Sequence, residues 1–302
     1  TTKFGQAPFT MYRLIEAVEG AAEIQVLFEP RFDYGRAETV LEYFENGITA
    51  SAGDERIFLS CSQKGMVIEK DRAWAVFGLR HGDRIGLRLT GKEGESEKFD
   101  FDHARESLEK TRKFWKEWIQ RSETGVDIDL GPLKDMIDRC ALVLKLLEFQ
   151  PTGAIAAAAT TSLPEQIGGV RNWDYRFSWI RDSALTVEAL YNTGHLKEME
   201  QYLRWLEKVI SESGGDPLIM YGLRGESELV EEELPHLKGY KNSRPVRIGN
   251  EAYSQKQLDI YGEIMDAALR LSNYVGKIDF DLWPFMRKMC EIVAENWRQK
   301  DA

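Results

Sequence analysis

The feature that most constrains this chain is a change of hydrophobic period near residue 102. Before it, apolar residues alternate with polar ones over short stretches; beyond Gly125 they recur at helical spacing. In AEIQVLFEPRF, Ile24, Val26 and Phe28 fall on one side of an extended chain, because successive strand side chains point to opposite faces. Arg56–Ser62, Gly65–Glu69 and Ala73–Leu79 alternate in the same way, and turn-forming phrases such as HGDR and GKEG separate the runs. Strands at such intervals predict an antiparallel β-sandwich over residues 1–102. It begins abruptly, with Thr-Thr-Lys and no Met, and is expected to be N-terminally incomplete.

Residues 103–124 read as a charged linker helix, with Leu108, Phe114, Trp115 and Trp118 as its apolar face. From 125 to 302 the pattern is helical. A helix is predicted over Leu133–Phe149, with Pro132 at a position that a first turn tolerates. Others follow over Ser178–Asn192, closed by Thr193-Gly194, and over Leu196–Ser213, closed by Gly214-Gly215. Two more are predicted over Ala252–Tyr274 and Leu282–Arg298. Between the third and fourth lies a polar, glycine-containing stretch from Asp216 to Asn250. A connection of that length in a compact domain usually carries function.

Composition narrows the functional classes. A net charge of −10 argues against a nucleic-acid partner, which needs a basic surface to neutralise phosphates. No apolar run approaches the ~20 residues of a membrane span, so no membrane partner is expected. Cys61, Cys140 and Cys290 are widely spaced and odd in number, which predicts free thiols rather than a disulfide framework. His81, His103, His195 and His236 stand alone, so no metal site is expected. The first thirty residues lack the pattern of a secretory leader, and a cytoplasmic protein is the expectation. The sequence leaves a homo-oligomer open.

Two clusters carry chemistry: IGGVRNWDYRFSWIRDSAL (Ile167–Leu185) and ELPHLKGYKNSRPVRIGN (Glu233–Asn250). The first packs Trp173, Tyr175 and Trp179 among Arg171, Asp174, Arg176, Arg181 and Asp182. A sugar ring offers apolar C–H faces inside a rim of hydroxyls, and binding it calls for aromatic platforms beside fixed donors and acceptors. Arg donates in a rigid fork, and a carboxylate accepts from two vicinal hydroxyls. The same residues admit a plain structural account, with Trp179 and Leu185 in the core and Arg181–Asp182 an ion pair at a helix end. Glu231, Glu232 and Glu233 read as a solvated acidic face.

TTSLPEQIGGVRNWDYRFSWIRDSAL resembles the stretch that opens the catalytic domain of glycoside hydrolase family 15, the bacterial and archaeal glucoamylase and trehalase type. MYGLRGESELVEEELPHLKGYKNSRPVRIGNEAYSQKQLDIYGEIMDAAL is similar to the next block of those enzymes, and FEPRFDYGR (Phe28–Arg36) to a phrase of their N-terminal β-domain. The resemblance implies a β-sandwich followed by an (α/α)6 barrel, of which residues 125–302 would form the first part. It implies that Arg181 and Asp182 bind the hydroxyls of the non-reducing glucose, that Trp179 lines its pocket, and that Tyr175 sits near the reacting carbon. Asn172, Trp173, Arg247 and Asn250 match the same phrases, as sugar ligands or as residues that hold the loops.

The implied reaction is hydrolysis of an α-glucoside with inversion. A carboxylic acid protonates the leaving oxygen while a carboxylate, roughly 6.5–9.5 Å away, activates water. No cofactor is called for. The Trp-Glu phrase expected to supply the acid does not occur in the sequence. Acid and base are therefore expected beyond Ala302, in the remainder of the chain, and these residues alone are expected to be inactive. Glucoamylase-like action on maltooligosaccharides is slightly favoured over trehalase action. A non-catalytic carbohydrate-binding or scaffold protein is the rival from another class.

Overall fold

A computed structural model describes residues 9–91, 98–121, 131–275 and 283–300. The boundary expected at 124/125, most of the GKEG phrase and Leu282 lie outside them. The chain divides into two compact units, 1–114 and 115–302.

The first unit is built from strands β1 (Thr10–Glu16), β2 (Ala21–Phe28), β3 (Val40–Phe44), β4 (Gly47–Ala52), β5 (Glu55–Cys61), β6 (Val67–Glu69), β7 (Arg72–Arg80) and β8 (Arg84–Thr90). They form an antiparallel five-stranded sheet, β1-β8-β5-β4-β3, and an antiparallel three-stranded one, β2-β7-β6. The period-two expectation is met most clearly in β7, where Ala73, Ala75, Phe77 and Leu79 are buried and every intervening residue is exposed. They share a core with Val26 and Phe28 of β2 and with Ile48, Leu59, Ile85 and Leu87 of the larger sheet, which makes the two sheets a sandwich. From β1 to β8 the chain passes between layers four times. Two of these crossings, at 17–20 and 81–83, are clipped together by Gly82 N–H to Ala17 O (2.8 Å) and His81 N–H to Gly20 O (2.8 Å).

Helix α1 spans Phe101–Gln120, and the division between the units falls inside it. Its apolar face differs from the expected one. Ala104 and Trp118 are buried, whereas Leu108 and Phe114 stay exposed. The alternation of Lys, Arg and Glu leaves too few apolar positions for one continuous stripe, so burial concentrates at the two ends of the helix.

The second unit adds α2 (Lys134–Leu147), α3 (Ile180–Asn192), α4 (Leu196–Glu212), α5 (Asp259–Val275) and α6 (Trp283–Asn296). Helix α4 occupies the middle of its core: Met199, Tyr202, Leu203, Leu206, Val209 and Ile210 repeat at helical spacing and are buried. Helix α3 stops as the sequence predicts. Gly194 takes φ +88°, its N–H bonds Tyr191 O, and His195 N–H reaches back to Leu190 O, so the last carbonyls of the helix are satisfied. The fourth predicted helix is corrected at its start. Residues 251–254 form a single 3-10 turn capped by the Asn250 side chain, Gln255 is extended, and α5 begins only at Asp259. The described residues of this unit form a mainly helical body with three short two-stranded sheets; a closed (α/α)6 ring goes beyond them.

One buried charge cluster ties this unit together. Lys145 Nζ lies 2.6 Å from Glu148 Oε2 and 2.7 Å from Glu198 Oε1, and Trp118 Nε1–H donates to Glu198 Oε1 (2.8 Å). The Trp118 ring stacks on buried His195, with centroids 3.8 Å apart. The end of α1 is thereby fastened to α2 and α4.

Candidate functional site

The aromatic- and charge-rich segment runs extended into α3. Ser178–Trp179 forms a short strand, β11, paired antiparallel with β12 (Met220–Tyr221), so that Trp179 lies opposite Met220; short strands β9 (Glu148–Phe149) and β10 (Ala154–Ile155) precede it. Residues on either side of the expected sugar ligands anchor this turn. Ile180 and Ser183 are buried, and Ser183 Oγ–H reaches Ile155 O (3.2 Å). Between the anchors, Arg181 and Asp182 are partly exposed, as is Tyr175 upstream. Trp179, just before Ile180, is also partly exposed, but its ring packs against the helical core and its Nε1 is buried without a hydrogen-bond partner.

Arg181 and Asp182 occupy the first turn of α3, where the amide dipoles favour an anion. Partial burial nevertheless pushes the Asp182 carboxyl above the usual carboxylate range, with Arg181 opposing the shift. Burial also raises the Tyr175 phenol, helped by the negative charges of Glu165 and Asp182. Arg181 does not make the helix-end pair with Asp182 that the sequence allows. Its Nη1–H donates to Asp259 Oδ2 (2.8 Å) and Gln257 Oε1 (3.3 Å), both across the helix interface near the start of α5.

The other four candidates are drawn into a framework whose centre is a residue that sequence reasoning passed over. Asp174 is fully buried. Its carboxylate accepts from Arg176 N–H (3.1 Å), Arg176 Nε (2.9 Å) and Nη2 (2.7 Å), and Gly249 N–H (3.2 Å). Asn250 Nδ2 donates to the Asp174 carbonyl (3.2 Å), so both loops meet on one residue. Gly249 fits there because it takes φ +73° and a Cβ would run into the Val230 carbonyl. Asn172 is also fully buried and donates to Gly169 O and Pro245 O, each at 3.1 Å.

Arg247 lies over the Trp173 ring, 4.8 Å from its centroid. Its Nη1 donates to Val170 O (2.9 Å), and its Nε forms an ion pair with Glu231 Oε1 at 2.8 Å. Glu231 is therefore turned inward rather than lying on a solvated acidic face, while Glu232 and Glu233 stay exposed in β13 (Glu232–Glu233), paired with β14 (Arg247–Ile248). Both ends of the Asn250 amide, Asn172 Nδ2 and Arg247 Nη1 bond to the protein itself, whereas Asn172 Oδ1 is buried without a hydrogen-bond partner. The long stretch before α5 is thus an ordered loop that braces the segment leading into α3. In the sequence Asp174 stood only as one of the charges interleaved with the aromatics, with no sign of its burial, and nothing marked Asp259 or Gln257. Among the described residues, no group of three His, Cys, Asp or Glu is placed to hold a metal ion.

The model of the family "Glycosyl hydrolases family 15" matches residues 131–302. A trehalase from Mycolicibacterium smegmatis is 36% identical over 305 aligned positions, covering 98% of this chain and 45% of the relative. A trehalase from Thermoplasma volcanium is 32% identical, covering 100% of this chain and 47% of the relative. The chain thus spans about half the length of these relatives. Among solved structures, "Putative kojibiose phosphorylase from human microbiome" shares the arrangement of a β-region followed by helices, with a TM-score of 0.50 and 12% identity over 87% of this chain and 37% of that one.

Proposed function

Because the chain belongs to glycosyl hydrolases family 15, we propose that it forms the glucose-binding part of a trehalase. The observation that carries this reading is the placement of Trp179, Arg181 and Asp182, partly exposed on one anchored turn, in a chain whose relatives above bear the name trehalase. The slight preference for glucoamylase-like action gives way, since nothing in the geometry favours maltooligosaccharides and the names favour trehalose.

In this reading the Trp179 indole lies against the C–H face of one glucose unit. Arg181 donates from the N–H groups that Asp259 and Gln257 leave unused, and Asp182 accepts from two neighbouring hydroxyls. As the sugar displaces water, those polar contacts act in a lower dielectric and strengthen. Asn172, Trp173, Asp174, Arg247 and Asn250 hold the surrounding loops. The proton donor and the water-activating carboxylate belong to residues outside these 302. A pocket that binds sugar without them leaves the barrier to hydrolysis high.

The test is sugar release from trehalose, maltose and isomaltose by the full gene product carrying this chain, beside the 302 residues alone. The reading expects glucose from trehalose with the full product and none with the 302 residues. Preferential release from maltose would restore the glucoamylase-like alternative. Sugar binding by the full product with no release from any of the three would make it a carbohydrate-binding protein.

A further inference from the structure

We infer that Asp259 is a positioning residue for the sugar-binding guanidinium of Arg181, an inference that rests on the role proposed above for Arg181. The two side chains come from first turns of separate helices, α3 and α5, and meet through a single 2.8 Å hydrogen bond from Nη1 to Oδ2. Gln257 Oε1 receives the same Nη1 at 3.3 Å and is itself held by Gln255, whose Oε1 accepts from Gln257 Nε2 (3.1 Å). Arg181 is thus gripped on one terminal nitrogen, which leaves the other edge of the planar fork for a ligand. An arginine side chain has many rotamers, and a donor that must find its geometry at each binding event loses affinity to that search. A carboxylate in the first turn of α5 sits where the helix dipole stabilises it, and it fixes the guanidinium plane before sugar arrives.

A purely structural role fits poorly. Arg181 and Asp259 have side-chain exposures of 42% and 38%, and ion pairs that open to water add little to folding. Removing Asp259 should therefore leave the fold intact and act on binding through Arg181.

The experiment measures the affinity for D-glucose, which the full gene product is expected to release and not to consume, by titration calorimetry, with thermal unfolding in parallel, for wild type, D259A, D259N, R181A and R181A/D259A. D259A is expected to weaken glucose binding about fivefold, the effect of freeing one rotamer-rich side chain, with its unfolding temperature lowered at most slightly. D259N, which keeps a neutral acceptor in place, should recover most of that loss. R181A/D259A should bind no worse than R181A. An unchanged affinity in D259A, or an equal further loss when Asp259 is removed from R181A, overturns the inference while leaving the glucoside reading standing. A wild-type protein that binds no glucose overturns both.

Discussion

The Arg176 guanidinium grips the buried Asp174 carboxylate with two parallel hydrogen bonds, Nε to Oδ1 at 2.9 Å and Nη2 to Oδ2 at 2.7 Å. The same carboxylate accepts the Gly249 amide, so one residue fixes the approach to α3 and the loop ahead of α5. Replacing Asp174 by Ala removes the acceptor shared by two Arg176 side-chain bonds and by the Arg176 and Gly249 amides. The Arg176 side chain is 34% exposed and can be rehydrated, so the cost comes from the buried amides left unsatisfied and is about 1–3 kcal/mol. Denaturant unfolding of D174A should show a loss of that order, whereas D182A, at a partly exposed position, should stay within about 1 kcal/mol of wild type.

Strands β2, β5, β6 and β7 and most helix ends were legible because each rested on a local rule, whereas β1, β3, β4 and β8 were not singled out. Alternation marked Ala73, Ala75, Phe77 and Leu79, and Gly194 marked the end of α3. The start of α5 was missed because the capping by Asn250 and the extended Gln255 interrupt a stretch that is helical in composition. Within the site, the eight candidates sorted by the partners they find in the folded chain, which sequence does not encode. The partners of Arg181 and Arg247 come from residues 76 or 78 positions away and from across β13–β14, so no spacing rule could find them.

Arg247 offers a second test of the framework. R247K keeps a charge near Glu231 but loses the planar stack on Trp173 and the fork that also reaches Val170 O. A loss of about 1–2 kcal/mol is expected for R247K, together with a change in tryptophan emission. Wild-type stability and emission in R247K would show that the stack contributes nothing.

The buried triad of Lys145, Glu148 and Glu198 gives a pH signature. Burial and the adjacent Glu198 charge raise the Glu148 carboxyl; Lys145 opposes that shift. K145M leaves two buried carboxylates facing each other and should cost about 3–5 kcal/mol at neutral pH. A raised carboxyl means that the native state binds more protons than the unfolded one between the ordinary and the shifted value. Stability of K145M should therefore rise as pH falls through that window. Burial works against the Lys145 charge, but its hydrogen bonds to both glutamates prevail and raise its pKa above the ordinary 10.5. Its contribution is complete below that value and is lost as pH rises through the shifted one, so K145M should lack this alkaline loss. Unfolding curves from acid to alkaline pH for both proteins measure each effect.

Asp182 should trade stability for binding. Its raised carboxyl means that keeping it charged costs the folded state above the ordinary value of 3.8. D182N removes that cost, so it should be slightly more stable than wild type at neutral pH, by less than about 1 kcal/mol, and the difference should vanish as pH falls below the ordinary value. The same substitution replaces one hydroxyl-accepting oxygen by a donor and should weaken trehalose binding. Lower stability at neutral pH together with unaltered binding would contradict both expectations.

The most direct test of the site is a crystal structure of the full gene product with trehalose bound. One glucose ring should lie against the Trp179 indole, with its hydroxyls within hydrogen-bonding distance of the Arg181 guanidinium and the Asp182 carboxylate. A trehalose molecule bound elsewhere, with water alone against Trp179, Arg181 and Asp182, would contradict the account.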